Sequence, residues 1–135
     1  MFNLRFLTSP TVRTIKPALT DSFSDREIEL MADLGSLTHV SSGDELISEG
    51  SRGTHAYLIT AGSAAVQRDD EIVAMLSKGD MVGERALVTR EPRNATVTAR
   101  MPISALRFDR HQFSRLRSES PTLRDLSDDL VAARS

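Results

Sequence analysis

The chain has 135 residues, enough for one domain with one modest core. Its 17 Lys and Arg stand against 19 Asp and Glu, for a net charge of -2, so the basic excess that drives non-specific nucleic-acid binding is absent. The lack of Cys excludes disulfides, thiolate metal sites and Cys nucleophiles, and no apolar run approaches the ~18 residues that span a bilayer.

The first twenty residues carry Arg5, Arg13 and Lys16 without a single acid. This bias is shared with transit peptides, but nothing resembles a secretory apolar core. Pro10 and Pro17 argue against a helix here. Residues 1–22 are therefore expected to be an extension or linker ahead of a domain over 23–135.

The first clear element follows. Ser24 to Glu27 is a capping box, Phe23 and Ile28 form its hydrophobic staple, and Ile28, Met31 and Leu34 mark one apolar face before Gly35 stops the helix. Beyond Gly35 the texture changes to short strands. Leu37–Ser42, Glu45–Ser48, Ala56–Thr60, Ala64–Gln67, Ile72–Leu76, Ala95–Met101 and Ala105–Phe108 read as strands between glycine and aspartate turns. Many short strands at close spacing point to a sandwich or jelly roll. Gly83 to Asn94 breaks the rhythm; it is too long for a hairpin turn, and Glu84–Val88 reads as one helical turn. Irregular inserts on a rigid sheet scaffold are where binding residues concentrate. Helix then returns, first behind an Asp109–Gln112 cap with a Phe108/Phe113 staple. A last helix opens at Ser120-Pro121, with Leu123, Leu126, Leu130 and Ala133 on one face. That face suits packing against the barrel, and it also suits a mobile lid.

The chemistry gathers in Val82-Gly83-Glu84-Arg85-Ala86-Leu87-Val88 and Pro92-Arg93-Asn94-Ala95-Thr96-Val97. Gly83 permits close backbone approach, and the first amides of a turn starting at Glu84 favour an anion. Arg93 can return a guanidinium to the same place and grip phosphate oxygens in parallel hydrogen bonds. Glu84 would repel a bare phosphate group but suits a sugar hydroxyl beside it. The combination favours a compact sugar phosphate of low charge.

These two segments resemble the phosphate-binding cassette of cyclic-nucleotide-binding domains. Such domains are the sensors of cyclic-AMP receptor transcription factors, of protein kinase A regulatory subunits and of cyclic-nucleotide-gated channels. The resemblance extends through Gly43-Asp44-Glu45-Leu46-Ile47, Gly50, Tyr57-Leu58-Ile59, Gly62 and Gly79-Asp80, and covers about Phe23 to the C-terminus. It implies a mainly β fold, an eight-stranded double-stranded β-helix (jelly roll) flanked by N-terminal and C-terminal α-helices. It also implies that Glu84 accepts from a ribose 2′-hydroxyl and Arg93 neutralises a cyclic phosphate. Gly83, Arg85 and Ala86 would contribute backbone N–H groups, with Asn94 and Ala95 completing the site. Two residues depart from the family pattern. Arg85 stands where an apolar residue is usual, and Asn94 where Ala, Ser or Thr follows the phosphate Arg. Guanine-preferring members tend to have Thr or Ser there, so cyclic AMP is the expected ligand and cyclic GMP the alternative.

The resemblance further implies that the last helix moves on ligand binding, with Leu123, Leu126 and Leu130 as the candidate lid. A signalling role through a protein effector, in cis or in trans, is expected, in the cytoplasm or in the cytoplasmic part of a larger protein. No DNA-reading element follows the last helix within the chain. A cupin-type metalloenzyme is the rival among jelly rolls, but His39, His55 and His111 lie far apart in sequence and form no ligand cluster. No nucleophile elbow or ordered triad can be argued either, so neither catalysis, a metal nor a cofactor is expected. The remaining alternative is the same barrel without a ligand, used as a protein interaction module; Asn94 is the feature that favours it.

Overall fold

In the computed structural model, which describes residues 9–134, two four-stranded antiparallel sheets form the body. The strands are β1 (Ser36–Val40), β2 (Glu45–Ile47), β3 (His55–Ala61), β4 (Ala64–Arg68), β5 (Glu71–Leu76), β6 (Met81–Val82), β7 (Thr96–Ala99) and β8 (Ile103–Asp109). One sheet has the order β1-β8-β3-β6 and the other β2-β7-β4-β5. Around them lie α1 (Pro10–Leu19), α2 (Asp25–Leu34), α3 (Glu84–Thr89), α4 (Arg110–Glu119) and α5 (Pro121–Arg134). The jelly roll and its flanking helices are as expected. The strand missing from the seven read in the sequence is β6, only two residues long and too short to show a period.

Alternation along the central strands separates two cores. In β3, Ala56 and Leu58 join one buried cluster and Ile59 the other; in β8, Leu106 and Phe108 oppose Ile103 and Ala105 in the same way. The second cluster, with Ile47, Ala64, Leu76, Val82, Val97 and Ala99, fills the space between the sheets. The first holds Ile28 and Met31 of α2, Leu87 of α3, Phe113 and Leu116 of α4 and Leu123 of α5 against the β3–β8 sheet. That sheet is therefore buried on both faces, and its helices are part of the fold.

The first helix corrects the reading of the prolines as helix breakers. Pro10 occupies the first helical position, where its missing N–H costs nothing, and Ser9 caps it by accepting from Val12 N at 3.3 Å. Pro17 lies inside the helix and denies one carbonyl its amide, yet Val12, Ile15 and Leu19 are buried in the helical core. Burial of that face outweighs the local cost. The Arg5 end of the segment, with the rest of residues 1–8, lies outside the described residues.

Both expected capping boxes form, at Ser24/Glu27 and at Asp109/Gln112. Glu27 does more than cap its own helix. Its carboxylate also accepts from Ser120 Oγ and, at 3.2 Å, from Thr122 Oγ1, while the buried Ser120 Oγ accepts from Leu123 N. One carboxylate thus ties the start of α2 to the start of α5. Burial pushes its pKa upward, but hydrogen bonds from Ser120, Ser24 and Thr122 outweigh that and hold it below the ordinary carboxylate value. A depressed folded-state pKa contributes stability above the unfolded-state value, ~4.3, which is lost as pH falls through the folded value. Glu27→Gln should therefore flatten the acid limb of the stability–pH curve below about pH 4.3, measured by urea unfolding across pH. An unchanged limb would show that the carboxylate charge plays no part in the tie.

Candidate functional site

The cavity that matters lies where the two sheets and the β6–β7 insert meet. Gly83 ends β6 at φ 88°, in the left-handed region, and serves as the N-cap of α3 without any side-chain cap. The amides of the first turn are thus left for another acceptor. Glu84 follows, 0% exposed, inside the fold. Ten residues beyond Gly83, Arg93 is only 8% exposed, and its guanidinium donates from Nη1 to Gly83 O at 2.7 Å and from Nη2 to His55 O at 2.5 Å. Its own backbone is pinned as well, since Gly50 N donates to Arg93 O at 2.7 Å and Arg93 N to Ser51 O at 2.8 Å.

Burial works against the charged guanidinium and lowers its pKa, while Tyr57 and the Glu84 carboxylate act in the opposite sense. Two buried charges of opposite sign therefore feel each other's field, which makes a buried ion more tolerable. A guanidinium has five N–H donors, and two are committed to backbone carbonyls, so three remain for a ligand. Glu84 Oε2 accepts no hydrogen bond, and the carboxylate as a whole lies in the field of Arg93.

All seven residues expected at the site line this one cavity of about 270 Å³: Gly83, Glu84, Arg85, Ala86, Arg93, Asn94 and Ala95. The Arg85 side chain is tethered, pairing with Glu91 at 2.5 Å across the insert. Its Nε is buried without a hydrogen-bond partner. Arg110, the first residue of α4, reaches back to donate to Leu87 O at 2.8 Å and Gly53 O at 3.5 Å. A cation at the C-terminal end of α3 also complements that helix's dipole.

The leucine stripe lies elsewhere. Leu123 is fully buried in the helical cluster, and Leu126 and Leu130 pack against it together with Leu87. None of the three lines the cavity; the α5 residue that does is Ala133, the last but one of the helix. Sequence reasoning also missed the wall built by Val66, Arg68, Val73 and Ala74 from β4 and β5. Those residues come beside Asn94 and Ala95 only because β4 pairs with β7, in the register Val66↔Val97 and Gln67↔Thr96. No local motif carries that information.

The profile of the "Cyclic nucleotide-binding domain" family matches residues 37–120. Among curated proteins, the cAMP-dependent protein kinase regulatory subunit of Debaryomyces hansenii is 34% identical over 116 residues, which is 85% of this chain and 25% of that protein. The chain spans about a quarter of the length of curated relatives of this kind. Among solved structures, "Sp-2Cl-cAMPS bound to PKAR CBD2" superposes with a TM-score of 0.68 at 27% identity, covering 80% of each chain. The regulatory subunit of a cAMP-independent protein kinase A from Trypanosoma brucei superposes with a TM-score of 0.75 at 25% identity, over 93% of this chain and 45% of that one.

Gly53 is the further residue on which this geometry depends. A β-carbon there would collide with Cβ of Ala86 and lie 3.0 Å from Cζ of Arg93. Gly53→Ala should therefore cost roughly 1–3 kcal/mol of stability, the range for overpacking a close-packed site, with Arg93 displaced. Denaturant midpoints check the first effect; a wild-type midpoint would mean that the insert yields freely.

Proposed function

The chain belongs to the cyclic nucleotide-binding domain family, and on that premise we propose that it is a non-catalytic sensor of a cyclic purine nucleotide, with cyclic AMP as its ligand. The observation that carries this reading is the convergence of Gly83, Glu84 and Arg93 at one end of a single cavity. Arg93 supplies the charge for a singly ionised cyclic phosphate, the uncapped turn of α3 supplies amides, and Glu84 supplies an acceptor for the ribose 2′-hydroxyl. The adenine assignment rests on two supports: Asn94 stands where guanine-preferring members tend to have Thr or Ser, and the regulatory-subunit relatives are described as cAMP-dependent.

The output is proposed to run through α5 to a protein effector, in cis or in trans. Leu87 of α3 shares the buried cluster of Leu123, on which Leu126 and Leu130 also pack, so a shift of the insert repacks the base of α5. Arg117 holds the other side of the helix, donating at 2.8 Å to both Ser127 Oγ and Asp128 Oδ1. Ala133 brings its far end over the cavity. A ligand shifts such a helix only by binding its two positions unequally. The leucines are then the anchor of the cover, and the C-terminal turn is the cover itself.

Isothermal titration checks the site. Arg93→Ala should weaken cyclic AMP binding by a loss of roughly 2–5 kcal/mol, the cost of leaving a desolvated charge without its partner. Glu84→Ala should abolish the wild-type preference for cyclic AMP over its 2′-deoxy analogue, a difference of roughly 1.5–3 kcal/mol. Affinity within a few-fold of wild type for Arg93→Ala, in a folded protein, would leave the ligand-free interaction module as the better reading. For the output, amide hydrogen exchange in residues 121–134 should change on saturation with cyclic AMP. Identical exchange with and without ligand would remove α5 from the signalling path.

A further inference from the structure

We propose that Arg68 is the residue with which the cavity discriminates between purine bases, and that it favours a 6-oxo purine. The inference rests on the cyclic-nucleotide reading above. Arg68 closes β4 and pairs with Glu71 across a two-residue hairpin turn whose Asp69 and Asp70 have φ of 52° and 65°. That is the left-handed pair that a tight turn of this kind requires, so the backbone of Arg68 is firmly placed. Its side chain lines the cavity, and its Nε donates to Asn94 O at 3.2 Å. The Nη groups make no other hydrogen bond among the described residues, which leaves four N–H donors beside the cavity.

The rest of that wall is poor in hydrogen-bonding chemistry. Val66, Val73, Ala74 and Ala133 offer apolar surface alone, and the phosphate and ribose end is taken by Gly83, Glu84 and Arg93. The edge of a base in the remaining space meets Arg68 and Asn94. A guanidinium donates and never accepts. A 6-oxo purine presents two acceptors side by side, O6 and N7, which match two parallel N–H groups. A 6-amino purine presents N7 beside an amino donor, which sets donor against donor. Asn94, with one donor and one acceptor group, suits either edge. Arg68 therefore works against the adenine preference proposed above and keeps it shallow.

Competition binding with cyclic GMP, cyclic IMP and cyclic AMP tests this on wild type, Arg68→Ala and Arg68→Lys. Cyclic IMP keeps the 6-oxo group without the 2-amino group, so it isolates the edge in question. Arg68→Ala should lose about three- to ten-fold in affinity for both 6-oxo nucleotides and stay within about two-fold for cyclic AMP, the low end of bidentate discrimination because the guanidinium is solvent-exposed. Arg68→Lys, which keeps the charge without the fork, should behave like Arg68→Ala. Equal losses on all three nucleotides would make Arg68 a phosphate-attracting or structural cation and overturn the proposal. So would no loss on any, or full retention of wild-type selectivity by Arg68→Lys. Should wild type bind none of the three, the cyclic-nucleotide reading itself falls, an outcome distinct from a change in selectivity between variants.

Discussion

A guanidinium buried in the neck of the β6–β7 insert is costly unless something holds it, and most of the local structure is arranged to do so. Arg93 is held on two sides by carbonyls, those of Gly83 and His55, and faces the field of a carboxylate that is itself fully buried. This close fit dictates the glycines. A side chain at Gly83 would meet Arg93 Nη1 at 2.8 Å, and one at Gly53 would meet Ala86 and Arg93. The β2–β3 loop is fixed in turn, because Gly50 and Ser51 bond the Arg93 backbone. Pairs of this kind contribute little net stability by themselves, since desolvation consumes most of the attraction. What they impose is a single geometry, and a ligand site needs that more than it needs stability.

The second organising fact is the sheet β1-β8-β3-β6, covered by the other sheet on one face and by helices on the other. Every helix contributes to one continuous apolar layer, in which Leu87 of the insert and Leu123 of the last helix are members of the same cluster. Close-packed interiors shift between discrete arrangements and do not deform smoothly. A movement at the insert, as proposed above, would reach the helical layer by contact, without a separate relay.

How much of this was legible in the sequence follows from how local each signal is. The capping boxes at Ser24 and Asp109 are written in four consecutive residues, and both form as read. Gly83, Glu84 and Arg93 were legible as candidates because the insert interrupts a regular strand rhythm, and because a close-approach glycine, a guanidinium and a carboxylate are the types that a sugar phosphate would call for. Three features were not. The helix at Pro10–Leu19 is decided by burial of Val12, Ile15 and Leu19, a tertiary gain that overrides the proline penalty. β6 has too few residues to show alternation. Arg68 and Ala133 reach the cavity through strand register and helix docking, neither of which leaves a mark in the residues nearby. The leucine stripe was visible, but amphipathicity reports that a face is buried, not what buries it.

Arg110 has a mechanical consequence. By bonding Leu87 O and Gly53 O it rivets the first residue of α4 to the β6–β7 insert and to the β2–β3 loop. Phe113 and Leu116 fasten the rest of α4 to the sheet beneath. The segment after β8 is thus a fixed post, and the nearest place where the chain can bend is the junction at Ser120, where α4 ends and a proline starts the next helix. From Pro121 to Arg134, a 14-residue helix is a lever of about 21 Å at 1.5 Å per residue. A rotation of 10° at that fulcrum carries its far end through roughly 4 Å. The side chains at the pivot would move by only a fraction of that distance, so the proposed output would ask little rearrangement of the site itself.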